Sequence, residues 1–265
     1  MTFAEKNART VSFFPFRGKH GAEVPVCALS LAAAGALRPG EDDGRRKDFF
    51  SSLGISDGRV VSLSQIHSQK VCVFPGPDFL SAGRPPGDGI LTDCVSAVPC
   101  VTVADCMPVW LFDSGTGCFG VLHSGWKGTG ILASAVRAAE ARWGSKASDF
   151  SVIFGPHIRN CCYTVDRERA QYFSRTFSAS CVTLDETLLR AGSPWPYRLS
   201  LAEANLSICR SLGIPAEQIS DTGICTCCSS LYGSSRRESA GKPSSPAASG
   251  SRTPFTSMAA FIYYS

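Results

Sequence analysis

The stretch that decides the fold is VTVADCMPVWLFDSGTGCFGVLHSGWKGTG, from Val101 to Gly130. Three short apolar runs, Val101–Ala104, Val109–Phe112 and Cys118–Leu122, are separated by polar and glycine-containing turns. Runs of this length, rich in β-branched and aromatic residues, predict three successive strands. A glycine-rich loop follows, and the next residues predict a helix from about Thr129 to Trp143. The stretch therefore predicts strands that lead directly into a loop and a helix.

Two residues with chemical potential stand at the ends of these predicted strands. Cys106 follows the first strand and His123 ends the third. Strand ends are rigid yet reach a cavity, so the two side chains can converge there. A thiolate beside an imidazole suits zinc, and it equally suits a nucleophile with its base. Considered as a pair alone, they also fit a buried cysteine and a histidine that ends a strand.

The overall composition is that of an ordinary globular protein. The chain has 265 residues, of which 44% are hydrophobic and 18% charged, with a formal net charge of +4. The mild charge and the lack of a dense basic run exclude nucleic acid as an expected partner, while small anionic substrates remain compatible. The most apolar stretch, Ala97–Phe112, contains Asp105 and is too short for a membrane span, so no membrane association is predicted.

The chain contains thirteen cysteines. Its first residues, MTFAEKNARTVSFFPF, lack the apolar core of a signal peptide, so we expect a reducing cytoplasm, with mostly free thiols and a few metal ligands. Cys225 and Cys228 have the C-x-x-C spacing, but no second pair follows at the distance of a zinc finger. We therefore interpret them as thiols.

No internal repeat and no interdomain linker are evident before Ser229, so one domain spanning residues 1–265 is predicted. Residues 229–254 are rich in Ser, Gly, Pro and Ala. This composition predicts a mobile loop with little packing of its own. A final aromatic segment, Phe255–Tyr264, is predicted to return as a strand.

Three further residues are candidates because of their surroundings. His67 lies in a tight connection between two predicted strands, and Arg17 lies on a turn in RGKHG. Lys127 belongs to a loop of free backbone N–H groups before a helix, an arrangement that binds anions. Each of these signals is weak alone, since loop histidines and solvated cations are common.

Taken together, the segments of the chain resemble the YfiH-type family, which is labelled multicopper polyphenol oxidoreductase or laccase and is also described as purine nucleoside phosphorylases. The resemblance covers nearly the whole chain. The segments that carry it are QIHSQKV, DGILTD, TVADCMPV, VLHSGWKGT, GPHIRNCCYTV, LAEANLSICRSLGI and GICTCC. It implies an α+β fold, a single domain of mixed β-sheets with flanking helices.

The resemblance also implies a zinc held by His67, Cys106 and His123. It implies phosphorolysis of adenosine, inosine, guanosine or methylthioadenosine, with adenosine deamination alongside. Purine nucleoside and phosphate are then the expected partners, and the oligomeric state stays open. The candidate catalytic residues are Cys106, His123 and two carboxylates that can shuttle protons, Asp105 and Asp88. The candidate substrate-binding residues are Arg17, Gln65 and Lys127.

The sequence departs from the family pattern at several positions. The family's A-G-W-R-G is Ser124–Gly128 here, with Lys127 replacing an arginine and losing its bidentate fork for phosphate. The family's C-terminal F-F-S-Y-R-R survives only as YGSSRR, residues 232–237. Two other functions therefore remain open: a cysteine hydrolase or amidase that edits peptidoglycan precursors, with Cys106 as nucleophile, and a zinc-stabilised binding protein. Multicopper oxidation is disfavoured, because the chain has four histidines.

Overall fold

The structure, a computed structural model, describes residues 10–16, 24–74, 83–240 and 255–265. Arg17 lies outside these ranges. In chain order the strands are β1 (Val11–Phe14), β2 (Val26–Ser30), β3 (Val60–Ser62), β4 (Val71–Phe74), β5 (Gly89–Thr92), β6 (Val98–Val103), β7 (Met107–Asp113), β8 (Phe119–Ser124), β9 (Phe150–Phe154), β10 (Thr164–Val165), β11 (Val182–Leu184), β12 (Tyr197–Leu199), β13 (Ile219–Asp221) and β14 (Met258–Tyr263). The α-helices are α1 (Asp43–Ser51), α2 (Ile131–Trp143), α3 (Arg167–Thr176), α4 (Glu186–Arg190), α5 (Leu201–Leu212) and α6 (Ser235–Glu238).

The strands form three sheets. One has the order β13-β9-β7-β8-β5-β4, a second the order β1-β2-β14-β6-β3, and a small third sheet the order β10-β12-β11. Most neighbours are antiparallel, but β13 with β9, β4 with β5 and β3 with β6 are parallel. The predicted α+β class with mixed sheets and flanking helices is confirmed.

Alternation along β7 shows how the layers are built. Val109 and Leu111 join the cluster that also contains apolar residues of α2 and α5. Trp110 and Phe112 point the other way, into a cluster with residues of β2, β6 and β14. Because side chains alternate along a strand, one sequence run supplies both faces of the central sheet. The two large sheets therefore pack face to face, with α2 and α5 outside one of them.

The outer face of the second sheet is covered by α1. Phe49 and Phe50 of that helix pack with Val98 and Phe261. Trp110 links the two sheets directly, since its indole N–H donates to the carbonyl of Phe261 at 3.0 Å. Cys106 directly precedes β7, and His123 lies next to the last residue of β8, so these packed central strands position both side chains.

Local signals fix several boundaries. The Ser200 hydroxyl accepts from the Glu203 N–H at 3.2 Å, so the serine of the S-x-x-E pattern caps the start of α5. Gly144 ends α2 with φ 70, a left-handed conformation that glycine adopts without penalty. Within the part of the chain that the structure describes, no helix combines the length and the apolarity that crossing a bilayer requires.

Residues 229–254 are predicted as a loop with little packing, but the first part of this segment is folded and packed. Residues 229–240 form a turn and α6, with Tyr232 and Ser234 buried. The Arg237 guanidinium donates to several carbonyls of this turn, including those of Ser229 and Cys227. The predicted lack of packing therefore does not hold for residues 229–240, because the buried Tyr232 and the hydrogen bonds of Arg237 hold them in place. Residues 241–254 lie outside the described ranges.

Candidate functional site

The structure brings His67, Cys106 and His123 around one cavity of about 240 Å³. The rings of His67 and His123 meet edge to face, with centroids 5.0 Å apart. The Cys106 sulfur contacts the His123 ring. Two of these residues come from the ends of adjacent strands, and His67 comes from the connection between β3 and β4.

Asp88 contacts both histidines and sets their orientation. One of its oxygens lies 3.0 Å from Nδ1 of His123 and accepts the backbone N–H of His67, also at 3.0 Å. Its other oxygen accepts the backbone N–H and the hydroxyl of Ser68. Asp88 is fully buried, and His67 has a positive φ of 57, which these bonds stabilise. The predicted proton-shuttling carboxylate is thus already occupied by donors, so a positioning role fits it better.

The charge states around Asp88 follow from these contacts. Burial raises the pKa of Asp88, but hydrogen bonds from His123 and Ser68 outweigh it and bring the pKa to about 2. Burial by itself lowers the pKa of His123, whereas Cys106 and Asp88 raise it to about 9. Burial, and then repulsion from His123, lowers the pKa of His67. A neutral imidazole is the form that binds a metal, so the lowered pKa favours His67 as a ligand, whereas His123 would release a proton on binding one.

Gly125 allows this site to form. A Cβ at that position would lie 2.7 Å from the Cys106 sulfur and 4.0 Å from Cε1 of His123. A distance below 3.0 Å is essentially never seen for a real Cβ, so a side chain there would push Cys106 away. The glycine at the start of the SGWKGTG loop therefore keeps the backbone close to the thiol.

A second cavity, of about 690 Å³, adjoins the first. Ala104, Cys106 and Ser235 line both cavities, so the thiol lies where they meet. The larger cavity is walled by three aromatic residues, Trp126, Tyr163 and Trp195, and by cations and apolar residues. The Arg169 guanidinium lies 4.3 Å from the Trp126 ring, and that of Arg236 lies 5.8 Å from the Tyr163 ring.

Asp105 ties the wall of this cavity together. It has a positive φ of 80 at the turn between β6 and β7. One oxygen accepts from the Thr226 hydroxyl and the other from the backbone N–H of Arg236, both at 2.6 Å. The YGSSRR segment thereby forms part of the cavity wall. Asp105 lines the cavity, yet both of its oxygens have donors.

The predicted substrate-binding residues are placed differently from one another. The Gln65 amide pairs with the backbone of Thr102, at 2.9 and 2.7 Å, although the residue lines the smaller cavity. Lys127 is exposed, lies 5.4 Å from the Trp126 ring, and lines a neighbouring groove with Arg169. It is not among the residues that wall the two cavities at Cys106. The predicted Arg17 lies outside the described residues.

Sequence reasoning missed the cations that do line these cavities. Arg38 lines the smaller cavity with His67, and Arg169 and Arg236 line the larger one. Arg38 and Arg169 stand in no motif that the sequence offers. Arg236 belongs to the YGSSRR remnant, which was the available signal.

Comparison with known proteins defines the class. The model of the family described as multi-copper polyphenol oxidoreductase laccase matches residues 39–245. The purine nucleoside phosphorylase YlmD of Geobacillus stearothermophilus is 30% identical over 235 residues, which cover 83% of this chain and 83% of that protein. Adenosine deaminase RL5, from an unknown prokaryotic organism, is 28% identical over 66% of this chain and 68% of that protein.

The fold gives the same answer. The crystal structure of YfiH from Bacillus licheniformis superposes with a TM-score of 0.76 and 25% identity, covering 91% of this chain and 93% of that one. The fold and the relatives define an enzyme resembling purine nucleoside phosphorylases and adenosine deaminases. The chain belongs to the multi-copper polyphenol oxidoreductase laccase family, which confirms the YfiH-type resemblance.

Proposed function

We propose that this protein is a zinc-dependent purine nucleoside phosphorylase. It would convert adenosine, inosine, guanosine or methylthioadenosine and phosphate to the purine base and the sugar 1-phosphate. One observation carries the proposal: a buried Asp88 orients His123 and the His67 loop beside Cys106, at the junction of two cavities. The similarity to YlmD supports the reaction class.

The donor types suit zinc. Nδ1 of His123 is paired with Asp88, which leaves Nε2 to face the cavity, as in the carboxylate–histidine–zinc arrangement. Two imidazoles and one thiolate are three ligands, and catalytic zinc sites keep a fourth position open. Bound by His67, Cys106 and His123, zinc would supply a Lewis acid at the junction of the cavities.

The two cavities suit two substrates. Ligand cavities of about 300–1,000 Å³ hold molecules of nucleoside size, and the larger cavity falls within that range at about 690 Å³. Tyr163 and Trp126 offer aromatic surface for the purine. Arg38 lines the cavity of His67, and its positive charge is close enough to help lower the pKa of that histidine. We assign it to phosphate, because arginine pairs with phosphate oxygens through two parallel bonds.

In the reaction, a phosphate oxygen bonds to C1′ of the sugar while the C1′–N bond breaks. The purine leaves with the bonding electron pair and takes up a proton. Arg38 would hold the attacking phosphate, and Arg236 and Arg169 would offset negative charge in the larger cavity. Donors fixed in place stabilise such developing charge without reorganisation.

Adenosine deamination is a second candidate, favoured by the similarity to RL5. Phosphate separates the two reactions. Purified protein incubated with mixed nucleosides, with and without phosphate, should yield free purine and sugar 1-phosphate only with phosphate, as read by mass spectrometry. Inosine formed from adenosine without phosphate would show deamination. No turnover of any purine nucleoside in either condition would overturn the proposed function.

A further inference from the structure

Four cysteine sulfurs converge at a second place, separate from Cys106. Cys161 and Cys162 come from the turn between β9 and β10, and Cys225 and Cys228 come from the turn after β13. Their four sulfur atoms all lie within 4.8 Å of one another. Among the described residues, these four cysteines are the group of potential metal ligands whose donor atoms lie this close together. The sequence interpretation of Cys225 and Cys228 as thiols rested on the lack of a second pair downstream, whereas the structure places a pair from upstream in the chain beside them.

The distances match those of a tetrahedral thiolate site. With Zn–S bonds of about 2.3 Å, tetrahedral geometry separates neighbouring sulfurs by about 3.8 Å. The Cys161 and Cys228 sulfurs are 3.7 Å apart, and those of Cys162 and Cys228 are 3.3 Å apart. The second distance would need to open by about half an ångström. A disulfide needs about 2.05 Å, and each of the cysteines in the described ranges is a free thiol.

The backbone around Cys225 is arranged to stabilise a thiolate. The N–H of Arg159 donates to the Cys225 sulfur at 3.4 Å, and the N–H of Cys228 donates to the same atom. A bridge between His157 and Cys225 aligns the two turns. Hydrogen bonds to the charged form of an acceptor favour that form, so these N–H groups are suited to a metal-bound sulfur.

Arginines surround the cluster. Arg198 donates to the carbonyls of Asn160 and Cys161, and Arg236 donates to that of Cys162. On the other turn, Arg237 donates to the carbonyl of Cys227. Four thiolates around one Zn²⁺ leave a net negative charge, which these cations offset.

We propose that Cys161, Cys162, Cys225 and Cys228 together bind one zinc ion in a closed structural site. Four protein ligands leave no open position, so the site would hold structure rather than react with substrate. It would join the two turns just outside the larger cavity. Thr226 and Arg236 lie between the cluster and Asp105, so this zinc would fix the cavity wall through them.

The test is metal content in variants of the whole protein, purified under reducing conditions without chelator. The Cys106→Ser variant isolates the cluster from the other proposed zinc site. In that protein, elemental analysis should find about one zinc per chain, and X-ray absorption at the zinc edge should show four sulfurs at about 2.3 Å. Adding Cys228→Ser should remove this zinc, whereas adding Cys227→Ser, the neighbouring cysteine outside the cluster, should leave it.

Loading with Co²⁺ gives a readout that does not depend on activity. A four-thiolate cobalt centre absorbs strongly through sulfur-to-metal charge transfer, and Cys228→Ser should weaken that absorption while Cys227→Ser leaves it unchanged. Zinc content unaffected by Cys228→Ser, or a coordination shell poor in sulfur in the Cys106→Ser protein, would overturn the site. So would a disulfide joining the two turns in the protein as purified. The proposed phosphorolysis could be refuted without affecting the proposed zinc site, because neither measurement involves a nucleoside.

Discussion

The Asp88 carboxylate lies 3.0 Å from Nδ1 of His123, and neither group is exposed to solvent. The same carboxylate accepts the backbone N–H groups of Ile66, His67 and Ser68. One side chain therefore sets the orientation of a strand-end histidine and the path of the loop that carries the other histidine. Both predicted histidine ligands depend on it.

Replacing Asp88 with asparagine should weaken zinc binding without removing a ligand. Asparagine keeps an acceptor oxygen but loses the charge that holds His123, and partners of this kind are worth about 10- to 100-fold in metal affinity. Zinc affinity, measured by competition with a coloured chelator, should fall by about that factor, and nucleoside turnover should fall with it. Asp57→Asn, at an exposed turn, is the matched control. Equal zinc affinity in the Asp88 and Asp57 variants would show that Asp88 serves the fold alone.

Replacing Cys106 distinguishes its proposed role as a zinc ligand from a role as a nucleophile. As a ligand, its loss leaves two histidines, so Cys106→Ser should lower zinc content by about one ion per chain and abolish nucleoside turnover together. His67→Ala should behave in the same way, although a Cys106–His123 dyad has no need of His67. The hydrolase alternative instead predicts labelling of Cys106 by thiol reagents that substrate blocks and zinc does not. Full zinc content in an inactive Cys106→Ser protein would refute the ligand assignment, and a zinc-loaded wild type without any turnover would favour the binding-protein alternative.

Arg38 and Lys127 are expected to differ in their effect on phosphate. Loss of one charge-assisted contact costs about 1.5–3 kcal/mol, so Arg38→Ala should raise the apparent phosphate KM by roughly 10- to 100-fold. Lys127→Ala should change it little, because Lys127 lies against Trp126 and does not line the cavity of His67. Initial rates at varied phosphate test both. A large increase in the phosphate KM for Lys127→Ala and a small one for Arg38→Ala would instead place the phosphate site at the glycine-rich loop.

Glu238 should make the segment around α6 sensitive to acid. It accepts the N–H groups of Ser234 and Thr256, at 2.9 and 2.6 Å. Burial raises the pKa of Glu238, but these bonds outweigh it, so the pKa is lowered. A lowered folded-state pKa means that the stabilisation is present above the unfolded value of about 4.3 and is lost as pH falls through the folded-state pKa.

Glu238→Gln should therefore cost about 1 kcal/mol in the free energy of unfolding at neutral pH. The difference from wild type should shrink below about pH 4.3, where the wild-type carboxylate also becomes protonated. Urea unfolding at a series of pH values measures this. Glu217→Gln, at an exposed glutamate between α5 and β13, is the control, and a difference independent of pH would contradict the assignment.

Much of the secondary structure could be predicted from the sequence, because it depends on local signals. The strands around Cys106 and His123, the glycine that ends α2 and the Ser200 cap of α5 are all readable, because each depends on neighbours in the chain. The cations of the cavities were not readable. Arg38 precedes α1 and shares no motif with His67, yet the fold places both residues at one cavity.

The cysteine cluster shows the same limit. Spacing alone finds pairs that are close in sequence, so Cys225 and Cys228 looked isolated. Their partners belong to a turn that the parallel pairing of β13 with β9 brings alongside. Residues 229–240 were also misjudged, because hydrogen bonds from Arg237 order them where composition suggests little packing.

The position of Cys106 on a wall shared by two cavities has a kinetic consequence. A molecule in each cavity would be next to the same thiol, and neither would have to leave before the other arrived. Such an enzyme works through a ternary complex rather than through a covalent intermediate in which the protein carries the transferred group. Double-reciprocal plots at varied nucleoside and phosphate should then intersect instead of running parallel.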